Sequence, residues 1–184
     1  IESTRFVFRR LILESDYAAR QAIEILELVH EGKLPFDRTM RISTAEENAK
    51  QKVASRIPVN VKTIKTLLAA NEADWERCEG GGLEKREREN VLQTMQSRRR
   101  KIATLLEECC LRTAKIQPLL RKLQSISKKF KQIERDMTYA KKHKAQVDPD
   151  DIIVMQEEMA GLRSLVLESP EQLEERLRRI AVVF

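Results

Sequence analysis

Every seventh residue from Ile102 is apolar through Met137: Ile102, Cys109, Ile116, Leu123, Phe130 and Met137. Three places on, the series Leu105, Arg112, Leu119, Ile126, Ile133 and Ala140 departs from this only at Arg112. Six heptads of such spacing predict one very long helix over residues 91–146, buried along a single seam. At about 1.5 Å per residue it would run roughly 80 Å, longer than a compact domain needs. Pro118 interrupts it, removing one backbone hydrogen bond and clashing with the Ala114 carbonyl, at a cost of about 3 kcal/mol. The heptads continue in phase across Pro118, so a kink is expected there rather than a break, and Arg112 just before it would mark a change of packing partner.

Charge follows the same stretch. Residues 91–146 hold 15 Lys and Arg against 4 Asp and Glu, so the remainder of this +6 chain is acidic. With aromatics at 4%, charged residues at 35%, and five Gly and five Pro in 184 residues, helices are favoured over sheets. The expected fold is all-α: an elongated helical domain with one long kinked central helix and an antiparallel C-terminal helical arm. It reads as a single domain over 1–184, divisible into N-terminal helices (1–79) and the long helix plus arm (83–184). Starting on Ile1, the sequence reads as a fragment of something longer.

Residues 4–31 read as one helix, with Phe8, Ile12, Ala19, Ile23, Leu26 and Val29 on one face and Gly32 as its cap. Ser43 and Glu46 form a capping box for a second helix, which should end before Pro58. Asn60 would cap a third, with Ile64, Leu68, Trp75 and Cys78 on its buried stripe. Gly80-Gly81-Gly82 then reads as a flexible hinge, or a disordered loop running to Glu89; without a Gly-Lys-Ser/Thr ending it is no phosphate cradle. Asp148-Pro149 starts a helix that should fold back on the long one, and Ser169 and Gln172 box the start of a last helix. This acidic arm, with 4 basic and 9 acidic residues over 148–184, would lie beside the basic helix, and their complementarity would favour that register.

Catalytic patterns are missing from the sequence. His30 and His143 have no partnering motif, Asp148, Asp150 and Asp151 are accounted for as a helix start, and no metal-ligand spacing or nucleophile elbow occurs. No enzyme activity and no cofactor are expected. No run of 18 apolar residues suggests a membrane span, and none of the sequence reads as a secretory leader. Three cysteines, two of them adjacent at Cys109 and Cys110, read as reduced thiols packed as small core residues in a cytoplasmic setting. The sharpest local feature is Arg98-Arg99-Arg100-Lys101, four cations spread around a full helical turn. With Lys128, Lys129 and Lys131 they are the candidate contact residues, and Lys141, Lys142 and Lys144 make a third cluster. Two readings stay open: a solvated face that keeps the helix soluble, or contact with nucleic-acid phosphate or an acidic protein. Phe130 and Tyr139 are the helix's aromatics and Phe130 lies in the seam, so base-stacking on single strands is not indicated.

Several strings resemble bacterial housekeeping sigma factors, the promoter-recognition subunits of RNA polymerase. They are Gly32-Lys33-Leu34-Pro35-Phe36-Asp37-Arg38-Thr39, Ile57-Pro58-Val59-Asn60-Val61-Lys62-Thr63-Ile64-Lys65 with Asn71 through Asp74, Leu111-Arg112-Thr113-Ala114-Lys115-Ile116-Gln117-Pro118-Leu119-Leu120-Arg121-Lys122-Leu123, and Leu167-Glu168-Ser169-Pro170-Glu171-Gln172-Leu173. Together they resemble the variable insert, or non-conserved region, between conserved regions 1.2 and 2.1. The resemblance implies a monomeric accessory helical module that contacts core polymerase, the β′ subunit foremost, with promoter DNA bound through the parent's regions 2 and 4. It also implies that the two ends of the chain lie close together. Two other functions compete: a stand-alone coiled-coil adaptor associating through the seam, and a non-specific nucleic-acid-binding domain.

Overall fold

The computed structural model describes residues 2–43 and 48–183, and among them the fold is all-α, with eight helices and one isolated β-bridge. They are α1 (Glu2–Leu13), α2 (Asp16–His30), α3 (Phe36–Thr39), α4 (Ala49–Glu79), α5 (Lys85–Glu107), α6 (Thr113–Lys142), α7 (Pro149–Val166) and α8 (Pro170–Val183).

The expected helix over 4–31 is two helices. Ser15 adopts an extended backbone, and its Oγ accepts from the Ala18 amide at 3.3 Å, capping α2 and ending α1. The apolar stripe survives the break, since Phe8, Ile12, Ala19, Ile23, Leu26 and Val29 are all buried. Gly32 does terminate α2: at φ +77° it places its own amide on Val29 O and the Lys33 amide on Leu28 O, the Schellman arrangement.

Helix α4 overturns the expectation of a boundary at Pro58. It runs 31 residues with Pro58 inside it. Proline's lost bond falls on an exposed face, while Ile57, Val61, Ile64 and Leu68 on the other face are buried and hold the helix through. Asn60, expected as a cap, instead sits buried mid-helix, its Nδ2 donating to Leu105 O at 2.9 Å and Glu108 Oε1 at 3.1 Å. The Ser43–Glu46 capping box lies outside the described residues. At the far end, Gly81 and Gly82 both take positive φ, +74° and +87°, a reversal that side chains bearing a Cβ rarely adopt. The triple glycine is therefore a turn rather than a disordered loop, and α5 begins at Lys85. Asn60 meets residues 105–108 and Asn71 meets Arg98, so α5 lies antiparallel on α4.

The predicted rod over 91–146 is also divided, but not at Pro118. Residues 108–112 form a break in which Cys110 takes φ +60° and Leu111 is extended. There the connector after α2 is stitched in: Met40 and Leu111 form the bridge, with Arg41 N donating to Cys110 O at 2.6 Å and Arg112 N to Thr39 O at 3.0 Å. Those backbone groups are thereby satisfied without helix, which is what lets the chain stop and restart. Pro118 then falls in the second turn of α6, exposed, within an unbroken helix. The seam itself is buried on both sides of the break, at Ile102, Cys109, Ile116, Leu119, Leu123, Ile126, Phe130, Ile133 and Ala140. Leu105 and Met137 are half-buried, and Arg112 is exposed.

Asp148 caps α7 as expected, its side chain accepting from the Asp150 amide at 2.9 Å, with Pro149 in the first turn. Helix α7 returns along α6, and Ser169 and Gln172 exchange reciprocal bonds of 3.1 and 2.8 Å at the start of α8. Charge complementarity contributes little to this docking. Among the described residues the ion pair between the arm and α6 is Lys131–Glu174, long at 3.9 Å and half exposed, while Arg163 reaches instead to Glu79 of α4 at 2.7 Å. Apolar burial of Val166, Leu173 and Ile180 sets the register.

Helix α8 runs antiparallel to α1, because Arg176 donates to Leu11 O while Ile180 and Ala181 share a groove with Phe8. One hydrophobic core draws on α1, α2, α4, α5, α6, α7 and α8, and a smaller cluster of Trp75, Met95 and Leu167 lies toward the glycine turn. Cys109 is fully buried and burial raises its thiol to about pKa 11, whereas Cys110 is half-buried with a smaller upward shift of the same cause. Cys78 is also buried. At pH 8 a thiol-specific dye should label Cys110 first, with Cys78 and Cys109 reacting on unfolding; equal labelling of Cys109 and Cys110 would contradict the packing of the break.

Candidate functional site

The Arg98–Lys101 turn divides between interior and surface. Arg99 is 7% exposed, and its Nε donates to Asp16 Oδ1 at 2.7 Å while Nη2 donates to Leu167 O at 2.9 Å. Asp16, itself 1% exposed, also accepts from Asn71 Nδ2 at 3.1 Å. Arg98 donates to Asn71 Oδ1 at 3.3 Å and to the Asp74 carboxylate. The result is one connected polar path joining α2, α4, α5 and the end of α7. Arg98 and Arg99 are thus engaged within the chain, which removes these two from the four candidate contact residues of the turn. A buried carboxylate and guanidinium remain charged only when each is paired and hydrogen-bonded, and this constellation supplies both.

Arg99 shares a stripe with its apolar neighbours. Met95, Arg99, Ile102 and Leu106 recur at helical spacing and all four are buried. That phase was legible in the sequence and outweighs the membership of Arg99 in a basic run. Two further pairs carried no local signal: buried Arg9 with half-buried Glu107 at 3.2 Å, and Arg176 with Glu168, both buried, at 2.9 Å. Each forms between residues whose proximity depends on the packing of separate elements or on the turn before α8.

Arg100 and Lys101 are exposed on α5. The other candidates, Lys128, Lys129 and Lys131, are exposed on α6, on the far side of the break, so the basic clusters do not line one rod. Lys131 faces Glu174, and no described residue pairs with Lys128 or Lys129. His30 is exposed at the end of α2, and His143 caps α6 with its ring stacked on Tyr139 at 4.2 Å. Among the described residues no group of three or more His, Cys, Asp or Glu is placed to hold a metal ion, and no helix is long and apolar enough to cross a membrane. No family model matches the chain, and no curated protein matches it.

Beside the polar path, Arg163 clamps Glu79 with two bonds of 2.7 and 2.9 Å and lies over the Trp75 ring, which packs with Met95 and Leu167. The hydrogen bond from Arg163 holds the Glu79 carboxyl below its ordinary range. Its folded-state pKa is depressed, so this contribution is present above the unfolded value and is lost as pH falls through the folded one. Since both groups are partly exposed, the effect on stability is small.

Truncation separates the two halves of the turn. Arg99→Ala should cost about 3–5 kcal/mol in urea unfolding, because Asp16 is left charged and unpaired in the interior. Arg100→Ala should stay within about 0.5 kcal/mol. Replacing the pair together, Asp16→Leu with Arg99→Met, should recover most of the loss; equal costs for Arg99→Ala and Arg100→Ala would refute the assignment.

Proposed function

We propose that the chain is an accessory helical module of a bacterial housekeeping sigma factor, contacting core RNA polymerase during transcription initiation in the cytoplasm. Promoter recognition itself belongs, on this reading, to regions of the parent outside this chain. Support comes first from the four strings resembling the family's insert, at 32–39, 57–65 with 71–74, 111–123 and 167–173. The observation that carries the reading furthest is the antiparallel packing of α1 and α8, which brings the start of one and the end of the other to the same end of the bundle. A helical insert joined at both ends to neighbouring regions needs that return; Ile1 and Phe184 themselves lie outside the described residues.

The resemblance strings also have structural uses. Asn60 ties α4 to the break after α5, Asn71 and Asp74 belong to the buried polar path, and the turn at 167–173 supplies Glu168 and the α8 capping box. A coiled-coil adaptor has less to stand on, since Ile102, Ile116, Leu123 and Phe130 are already covered by the chain's own helices. The 184-residue chain should sediment as a monomer at micromolar concentration and bind immobilised core polymerase saturably. A stable dimer, or no binding to core, would overturn the proposal.

A further inference from the structure

We infer that the solvent face of α6 is a docking surface for the phosphate backbone of B-form DNA, an inference that stands whether or not the chain belongs to a sigma factor. Arg121, Lys128, Arg135 and Lys142 follow one another at seven-residue intervals on α6, and all four are exposed. Seven residues is nearly two full turns, so the four cations form one line with steps of about 10.5 Å, roughly 32 Å from end to end. Opposite them on the helix lie the buried Leu119, Leu123, Ile126 and Phe130. Of the neighbouring cations, Lys122 donates to Gln21 and Lys131 faces Glu174, while Lys129 and Lys141 are exposed beside the ridge. No described residue makes an ion pair with any of the four on the ridge, and the nearby acid Asp136 accepts from Gln132 instead.

The side chains between the cations favour DNA phosphate over an acidic protein. Gln124, Ser125, Gln132 and Tyr139 fill the exposed face, and no large aliphatic residue of α6 is exposed. A stable protein interface needs an apolar centre, which this face lacks. Arg, Lys, Gln, Ser and Tyr are among the residue types that contact phosphates, fixing orientation without reading sequence. Single strands are disfavoured because Tyr139, the exposed aromatic of α6, is stacked on His143. A ridge of about 32 Å matches one turn of B-DNA, roughly 34 Å, and a helix fits the B-form major groove, whereas the deep, narrow major groove of A-form RNA excludes side chains. Four unneutralised cations on a rigid helix meet a polyanion carrying one charge per about 1.7 Å of axis.

The test is fluorescence anisotropy of the 184-residue chain with a labelled 20-base-pair DNA duplex, titrated from 50 to 200 mM salt. Four phosphate contacts give a log–log slope of about −3.6, an affinity loss of about 150-fold over that range. Arg121→Gln, Lys128→Gln, Arg135→Gln and Lys142→Gln combined should abolish that slope with an unchanged circular-dichroism melt, and each single substitution should reduce it by about 0.9. Charge-retaining exchanges, Arg121→Lys, Lys128→Arg, Arg135→Lys and Lys142→Arg, should preserve it, as should Arg100→Gln with Lys101→Gln on α5. Absent binding at 50 mM salt, an unchanged slope in the quadruple Gln variant, or tighter binding to an RNA duplex or to polyglutamate would each overturn the inference.

Discussion

A carboxylate at the start of α2 must be paired for the interior to close around it, and Arg99 does this. Asp16 and Arg99 are almost wholly excluded from water, and their remaining hydrogen-bonding capacity reaches Asn71 on α4 and the Leu167 carbonyl at the end of α7. An uncompensated charge there would be costly, so the four elements are coupled in one geometry. Apolar burial provides the stabilisation of the bundle, while the directional polar path discriminates among the many ways apolar stripes could pack.

A second constraint acts at residues 108–112. A continuous helix through the seam would have left one apolar face about 80 Å long to be covered from outside. Breaking it there lets α5 lie on α4 while α6 takes α7 and α8, and both halves of the seam are covered within one chain. The break is made possible by the connector over 33–42, which offers backbone partners to Cys110 and Arg112. A residue pairing between positions some 70 apart in sequence therefore converts a rod into a bundle.

The division also separates the basic residues by use. Arg99 is interior and Arg98 is half-buried against Asn71 and Asp74, Arg100 and Lys101 remain exposed on α5, and the cations of α6 form a ridge whose opposite side is core. Helix α6 has fixed direction and phase because Leu119, Leu123, Ile126 and Phe130 are buried, and that rigidity is what gives its outer charges a defined spacing.

Much of this was legible in the residues themselves. The all-α class, the apolar stripes, the Gly32 terminus of α2, the capped starts of α7 and α8 and the burial of most of the seam follow from spacing and local backbone chemistry. The phase of Arg99 with Met95, Ile102 and Leu106 was there to be read as well. Local rules misplaced a boundary at Pro58 and missed the one at 108–112: the missing bond of Pro58 falls on an exposed face while the buried face of α4 holds that helix together, and the break after α5 depends on the distant connector over 33–42. The partners of buried charge and the stitch between Met40 and Leu111 were decided by tertiary structure alone. Helix periodicity is an interaction over three or four residues, whereas desolvating a charge depends on what the whole chain packs around it.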